Sequence, residues 1–264
     1  MTEPTAAPAA DVQLLREGHV AFVTLANPAR LNAMTRAMWL RLRAVFDRLN
    51  ADADLRCVVV RGAAGAFCAG GDISEYPSFR FDEASLRTFH EDEVWGGLQA
   101  MLDCPVPVLA QIEGPCMGAG VEIASCCDIR LAGSTSRFGA PIARLGFPMA
   151  PGELELLARV AGPAVLREML LEARLFDAPR ALQLGLVHAV VADAEVGPQT
   201  LQRARHAAAL SPQAARINKR TLRQLAAGGP TAAERRAHFG YAASEEHREG
   251  VTAFIEKRPP RFRP

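Results

Sequence analysis

Ile112-Glu113-Gly114-Pro115-Cys116-Met117-Gly118-Ala119-Gly120-Val121-Glu122, running on as IASCCDIRLAG to Gly133, is the stretch on which the reading of this chain turns. It leaves the apolar run PVPVLAQIEG (105–114), a buried strand whose prolines sit toward its beginning. It then crosses a loop of small residues, enters the helix VEIASCC and returns as the strand DIRLAG. Small residues let the backbone approach a ligand, and the N–H groups that open a helix have no partner within it. Such groups, with the helix dipole, favour negative charge. The order is not GxGxxG, and no GxxxxGK[ST] occurs anywhere in the chain, so this loop does not read as a nucleotide-phosphate cradle.

A second segment repeats the logic upstream. The β-branched run CVVVRG (57–62) ends in glycine and leads into a Gly-rich loop over 63–81 that contains AFCAGGDI (66–73). Before it, VQLLREGHVAFVTLA (12–26) reads as a hairpin turning at Glu17-Gly18, and NPARLNAM (27–34) reads as a loop. Thr35 is placed to cap a helix whose apolar residues Met38, Leu42, Val45, Phe46 and Leu49 keep a 3.6-residue period. Asp82 caps a further helix to about Asp103, in which HEDE (90–93) reads as a solvated face. Helices are expected over about 151–160, 163–173 and 178–184, stopped by Gly162 and Gly185, with VHAVV (187–191) as a last strand. Beyond about residue 197 every segment is helical in pattern. The expected organisation is a loose tail over 1–10, a mixed α/β core over 11–197 and a helical section over 198–264.

Composition narrows the function classes. The chain has 264 residues, 49% hydrophobic and 22% charged, which suits one large globular domain and not a disordered one. A net charge of +1 gives no global attraction to nucleic acid or anionic membrane. The Arg-rich segments ARINKRTLR and AERRAHF read as solvated or subunit-contact faces, with no RRM or KH pattern beside them. No secretory leader and no membrane-length apolar run is present, so a cytoplasmic location is expected. The six cysteines form no CxxC pair and read as small buried hydrophobes. The six histidines are scattered, mostly at surface positions, and neither a metal site nor a redox cofactor is expected.

Taken in order, NPARLNAM, AFCAGGDI, IEGPCMGAGVEIASCCDIRLAG and EGVTAFIEKRPPRF (249–262) resemble the crotonase (enoyl-CoA hydratase/isomerase) family, in register from about residue 12 to the C-terminus. The resemblance implies a ββα spiral core with a C-terminal helical trimerisation section, a homotrimer or homohexamer, and an acyl-CoA substrate, with coenzyme A entering as part of the substrate and no separate cofactor. By the same resemblance, the backbone N–H groups of Gly71 and Ala119 form an oxyanion hole for the thioester oxygen, and Glu122 is a catalytic acid/base. Ala69, Asp72 and Ile73 match positions near the adenine end of CoA. Arg30 and Leu31 match the pantetheine and phosphate positions, and Phe254 and Lys257 match residues that reach CoA from a neighbouring subunit. Lys257 equally suits a solvated charge at a helix end.

One position departs from the family pattern. A second glutamate belongs after the proline of an FGxPE segment, but this chain reads FGAPIARLG, with Ile142 there. Isoleucine transfers no protons. Glu153 and Glu155 of PGELELL (151–157) are auxiliary candidates, although after Pro151 Glu153 also suits a first-turn residue complementing the helix dipole. Asp72, Glu75, Glu91, Asp92 and Glu93 are further carboxylates around the first loop. The expected function is enoyl-CoA hydratase or isomerase. An acyl-CoA decarboxylase of the same family, or a relative that binds acyl-CoA without catalysis, is the alternative that Ile142 raises.

Overall fold

In the computed structural model, residues 10–262 are described; the expected tail lies, apart from Ala10, outside them. Strands β1 (Asp11–Glu17) and β2 (Val20–Ala26) pair antiparallel through a two-residue turn at Gly18-His19, where Gly18 adopts φ 58°. Helix α1 (Arg36–Asn50) begins where expected: the Thr35 side chain accepts from the Met38 N–H, and its apolar stripe is buried. Strand β3 (Cys57–Gly62) follows, parallel to β2. Its period of two sends Val58 and Val60 into the main core, while Cys57 and Val59 join a second apolar cluster on the opposite face. That two-sided burial is why the strand reads as a continuous apolar run.

The helix capped by Asp82 has three parts. They are α2 (Glu83–Thr88), a π-helical turn over Phe89–Val94, and α3 (Trp95–Leu102). The HEDE run falls in the π turn, and the expectation of a solvated face holds only for Glu91 and Asp92. Glu93 is buried and accepts from the Nε–H and one terminal N–H of the Arg36 guanidinium, and His90 is half-buried. The extra residue of a π turn re-aims the side chains after it, which rotates this polar pair inward.

Strand β4 (Val108–Ile112) continues the sheet, and the short β5 (Pro115–Met117) leads into α4 (Ala119–Ser125). Next come β6 (Ile129–Gly133), β7 (Arg137–Gly139) and α5 (Pro151–Leu171), the last interrupted at Gly162, whose φ of 78° and ψ of 155° are non-helical. The two-residue β8 (Phe176–Asp177), α6 (Ala178–Gln183) and β9 (Ala189–Val191) complete the α/β part. The main sheet runs β1-β2-β3-β4-β6-β9, parallel apart from β1, and β5-β7-β8 form a smaller second sheet. β5, β7 and β8, at two or three residues each, were too short to carry a periodic signal in the sequence.

Helices α7 (Val196–Ala209), α8 (Pro212–Ala226), α9 (Ala232–Ala237) and α10 (Glu245–Ile255) follow, with no strand among the described residues after β9. Ala204 and Ala208 of α7 cover the second face of β3. Lys219 of α8 is buried, and its Nζ lies 2.8 Å from the Val106 carbonyl and 2.7 Å from the Asp128 carboxylate. It is a tie between the helical section and the sheet. All six cysteines are free and buried, as expected, and burial raises their thiol pKa values, that of Cys68 to about 12.

Candidate active site

The two glycine-rich loops meet because their backbones are hydrogen-bonded to each other. Phe67 N–H donates to Glu113 O at 2.7 Å, Cys68 N–H to Pro115 O at 2.9 Å and Met117 N–H to Cys68 O at 2.9 Å. Small residues are obligatory at this seam. A Cβ on Gly120 would lie 2.6 Å from the Cys68 carbonyl oxygen, and Gly118 adopts φ 47°. The NPARLNAM loop flanks the first of them. Met34 N–H donates to Gly70 O and Asp72 N–H to Met34 O, both at 2.8 Å.

That bridge fixes where the next amide points. Successive peptide groups of an extended segment face opposite ways, so with Gly70 O and Asp72 N–H committed to Met34, the Gly71 N–H faces away from it. Ala119 is the first residue of α4, and its N–H has no partner in the helix. Gly118, just before it, donates to Gly139 O at 2.9 Å. Neither Gly71 nor Ala119 donates to a backbone carbonyl among the described residues. Both line one cavity of about 220 Å³.

Glu122, one turn into α4, lines the same cavity. What solvent access its carboxylate has is through that cavity; protein encloses it otherwise, and this desolvation raises its pKa to about 8, helped by the nearby charge of Glu153. Ile142 lines the cavity as well, so the position that departs from the family pattern faces the site with a hydrocarbon.

Glu153 is not the solvated dipole residue that its place in a first helical turn suggests. It is 2% exposed. Its Oε1 lies 2.9 Å from His90 Nδ1, and its Oε2 is buried without a hydrogen bond among the described residues. His90 Nε2 lies 3.3 Å from Arg80 NH1. A guanidinium only donates, so Nε2 is the accepting nitrogen and Nδ1 carries the proton given to Glu153. Arg80 stacks on Phe147 at 3.7 Å and Tyr76 at 4.6 Å from the ring centroids. No residue spacing signals the His90–Glu153 contact, which joins a π turn to a helix 63 residues away.

Asp72 and Glu75 beside the first loop are otherwise engaged. Asp72 caps the turn after it through the Ser74 N–H and lies 3.8 Å from the Arg30 guanidinium; Glu75 accepts from the Arg36 N–H at 2.8 Å. Arg30, Leu31, Ala69, Asp72 and Ile73 form one patch beside the cavity, with the Ala69 N–H on Leu31 O at 3.0 Å and Leu31 and Ile73 exposed. Leu31 and Asn32 hold φ of 50° and 60°, which the Asn32 amide supports by donating to Ala63 O and Ala66 O. Phe254, 85% exposed, and Lys257 lie in and after α10 and line none of these walls. Beyond His90 and Glu153 the site opens into a larger cavity of about 900 Å³, walled by apolar groups including Phe81, Leu86, Trp95 and Met149.

The sequence model of enoyl-CoA hydratases and isomerases matches residues 16–264. The chain belongs to the enoyl-CoA hydratase/isomerase family. Probable enoyl-CoA hydratase EchA14 of Mycobacterium tuberculosis is 36% identical over 218 residues, covering 83% of each chain. The 2,3-dehydroadipyl-CoA hydratase of Escherichia coli is 33% identical over 251 residues, covering 94% of this chain and 96% of its own. Among solved structures, an enoyl-CoA hydratase/carnithine racemase from Magnetospirillum magneticum aligns with a TM-score of 0.93 at 38% identity, over 96% of this chain and 95% of that one. The architecture above is therefore the crotonase fold, and the protein is an enzyme of that family. No helix among the described residues is long and apolar enough to cross a membrane.

Proposed function

We propose that this enzyme binds an acyl-CoA thioester and stabilises its enolate, and that its reaction is the reversible hydration of a 2-enoyl-CoA. The observation that carries the reading is that Gly71 and Ala119, whose N–H groups donate to no backbone carbonyl among the described residues, line one small cavity together with Glu122. As a nucleophile adds at Cβ, charge accumulates on the thioester oxygen, and each preorganised donor there contributes roughly 3–4 kcal/mol at the transition state. Glu122 moves the Cα proton. The patch of Arg30, Leu31, Ala69, Asp72 and Ile73 binds the CoA moiety at the outer end of the site, and the acyl group extends into the larger apolar cavity. Phe254 and Lys257 serve the CoA of a neighbouring subunit in a homotrimer or a pair of trimers. The curated relatives named as enoyl-CoA hydratases support the choice of hydration.

Isomerisation of a 3-enoyl-CoA is the second reading, because Ile142 leaves one wall without the expected carboxylate; decarboxylation of a malonyl-type thioester needs the same enolate and no activated water. Assays with crotonyl-CoA, a 3-enoyl-CoA and methylmalonyl-CoA separate the three reactions. Glu122→Gln is expected to lower the rate with the best of them by about 10²–10⁴-fold while acyl-CoA affinity stays within about threefold. An unchanged rate would remove Glu122 from the mechanism.

A further inference from the structure

The wall at Ile142 has lost its carboxyl group, yet a second carboxylate enters the same cavity from another element. Glu153 projects from the first turn of α5 among apolar groups and is almost wholly buried, although residues so placed on a helix ordinarily keep their charge in water. One of its oxygens is fixed by the His90 N–H, and the other has no partner in the described protein. An unpaired buried carboxylate oxygen is destabilising unless a ligand completes it. It lines the wall shared with Gly71, Ala119, Glu122 and Ile142, and its charge is close enough to act on Glu122. Of the other acidic candidates, Asp72 is spent on a turn cap, Glu75 on a helix N–H and Glu93 on Arg36, while Glu91, Asp92 and Glu155 are exposed.

We propose that Glu153, anchored by His90, is the second catalytic carboxylate of this site and the base that activates water for hydration. The proposal rests on the enolate reading above. Oε2 is closed off from solvent as the carboxylate stands; turned toward the cavity once substrate and water are bound, it takes the proton of the water whose oxygen forms the O–Cβ bond. The Cα=Cβ π pair shifts to give the enolate held by the Gly71 and Ala119 amides. The enolate then takes a proton from the Glu122 carboxyl group at Cα. Water has added across the double bond, one proton has moved from Glu122 to Glu153, and its return between the two carboxyl groups through cavity water resets the site. His90 acts as a positioning residue: its Nδ1–H selects which oxygen is tied down and leaves the other for water.

The experiment uses the full chain with crotonyl-CoA and trans-2-octenoyl-CoA for hydration, and butyryl-CoA and octanoyl-CoA in D2O for exchange of the α-hydrogens, which needs the oxyanion hole and Glu122 but no activated water. Glu153→Gln is expected to lower hydration by about 10²-fold or more while α-exchange stays within about threefold of the wild type, and Glu153→Asp should fall between. Thermal unfolding of each variant shows that it is folded. Hydration by Glu153→Gln within about threefold of the wild type would overturn the proposal, as would a parallel loss of exchange and hydration with Asp behaving as Gln, the pattern of a merely structural residue. A wild-type protein that exchanges α-hydrogens but does not hydrate overturns the role of Glu153 and leaves the enolate reading standing. One that does neither overturns both.

Discussion

Glu122 carries a sign that experiment can read. Its folded-state pKa, raised to about 8 by desolvation and by Glu153, lies above the value that a glutamate has in an unfolded chain. The native state therefore holds a proton that the unfolded state has released between about pH 4.5 and 8, and this group makes stability fall as pH rises through that window. Glu122→Gln has no such penalty. Its melting temperature is expected to match the wild type near pH 4 and to exceed it by several degrees at pH 9, in paired unfolding scans; a constant difference across the range would mean that the carboxyl group is not perturbed. In the proposed mechanism the same proton is the one delivered to Cα, so kcat/KM for hydration should decline as pH rises through about 8. Gly120 makes a second residue-scale case. Its missing Cβ leaves room for the Cys68 carbonyl, so Gly120→Ala should push the two loops apart, lowering stability by about 1–3 kcal/mol in urea unfolding and the hydration rate along with it. The two small-residue loops were legible in the sequence, because glycines beside a helix start have a local cause, whereas the roles expected of Gly71, Ala119 and Glu122 came from the family resemblance alone. The burial of Glu153 was not legible, since burial by groups from a distant π turn leaves no mark on its neighbours in the chain.

At the scale of elements, the periodic segments were the ones that could be read. The stripe of α1, the cap at Thr35, the break at Gly162 and the two-sided run of β3 each follow from a repeat or a stop signal, and each lies where the sequence placed it. The π turn did not, because one inserted residue shifts the helical register without altering composition; HEDE therefore looked like a solvated face while half of it turns inward. Buried charge was the other blind point. Lys219 stands in an Arg-rich helix that reads as exposed, yet its ammonium ties α8 to the loop before β4 and to Asp128, whose same carboxylate oxygen accepts the Val108 N–H at 2.7 Å. Lys219→Met should strand the Val106 carbonyl and one side of Asp128. Asp128 is partly solvated, which tempers the effect, and a loss of about 2 kcal/mol in urea unfolding is expected, with turnover per folded molecule unchanged. A loss under about 0.5 kcal/mol would show that α8 is held by its apolar face alone.

For the whole molecule, the contrast is between the cavity proposed to be catalytic and an outer helical surface that is rich in uncovered hydrocarbon. Leu222, Leu225, Phe239, Val251, Phe254 and Ile255 are all exposed on α8 to α10, with Phe254 85% exposed. A soluble chain seldom leaves so many large apolar groups in water without a partner surface. Covering them with further copies of the chain is the solution that the family resemblance points to, and on the proposed reading it would bring Phe254 and Lys257 within reach of a neighbour's substrate. The expectation is a sedimenting species of at least three chains at micromolar concentration. Phe254→Ser should weaken the assembly. Lys257→Ala should leave it intact while raising KM for an enoyl-CoA by about tenfold, and leave KM for the matching enoyl-pantetheine, which lacks the nucleotide, within about twofold. An equal rise for both substrates would place Lys257 away from the CoA phosphates. A monomer with full activity would remove the neighbouring subunit from the site altogether, and would require that the patch around Arg30 and Asp72 bind CoA alone.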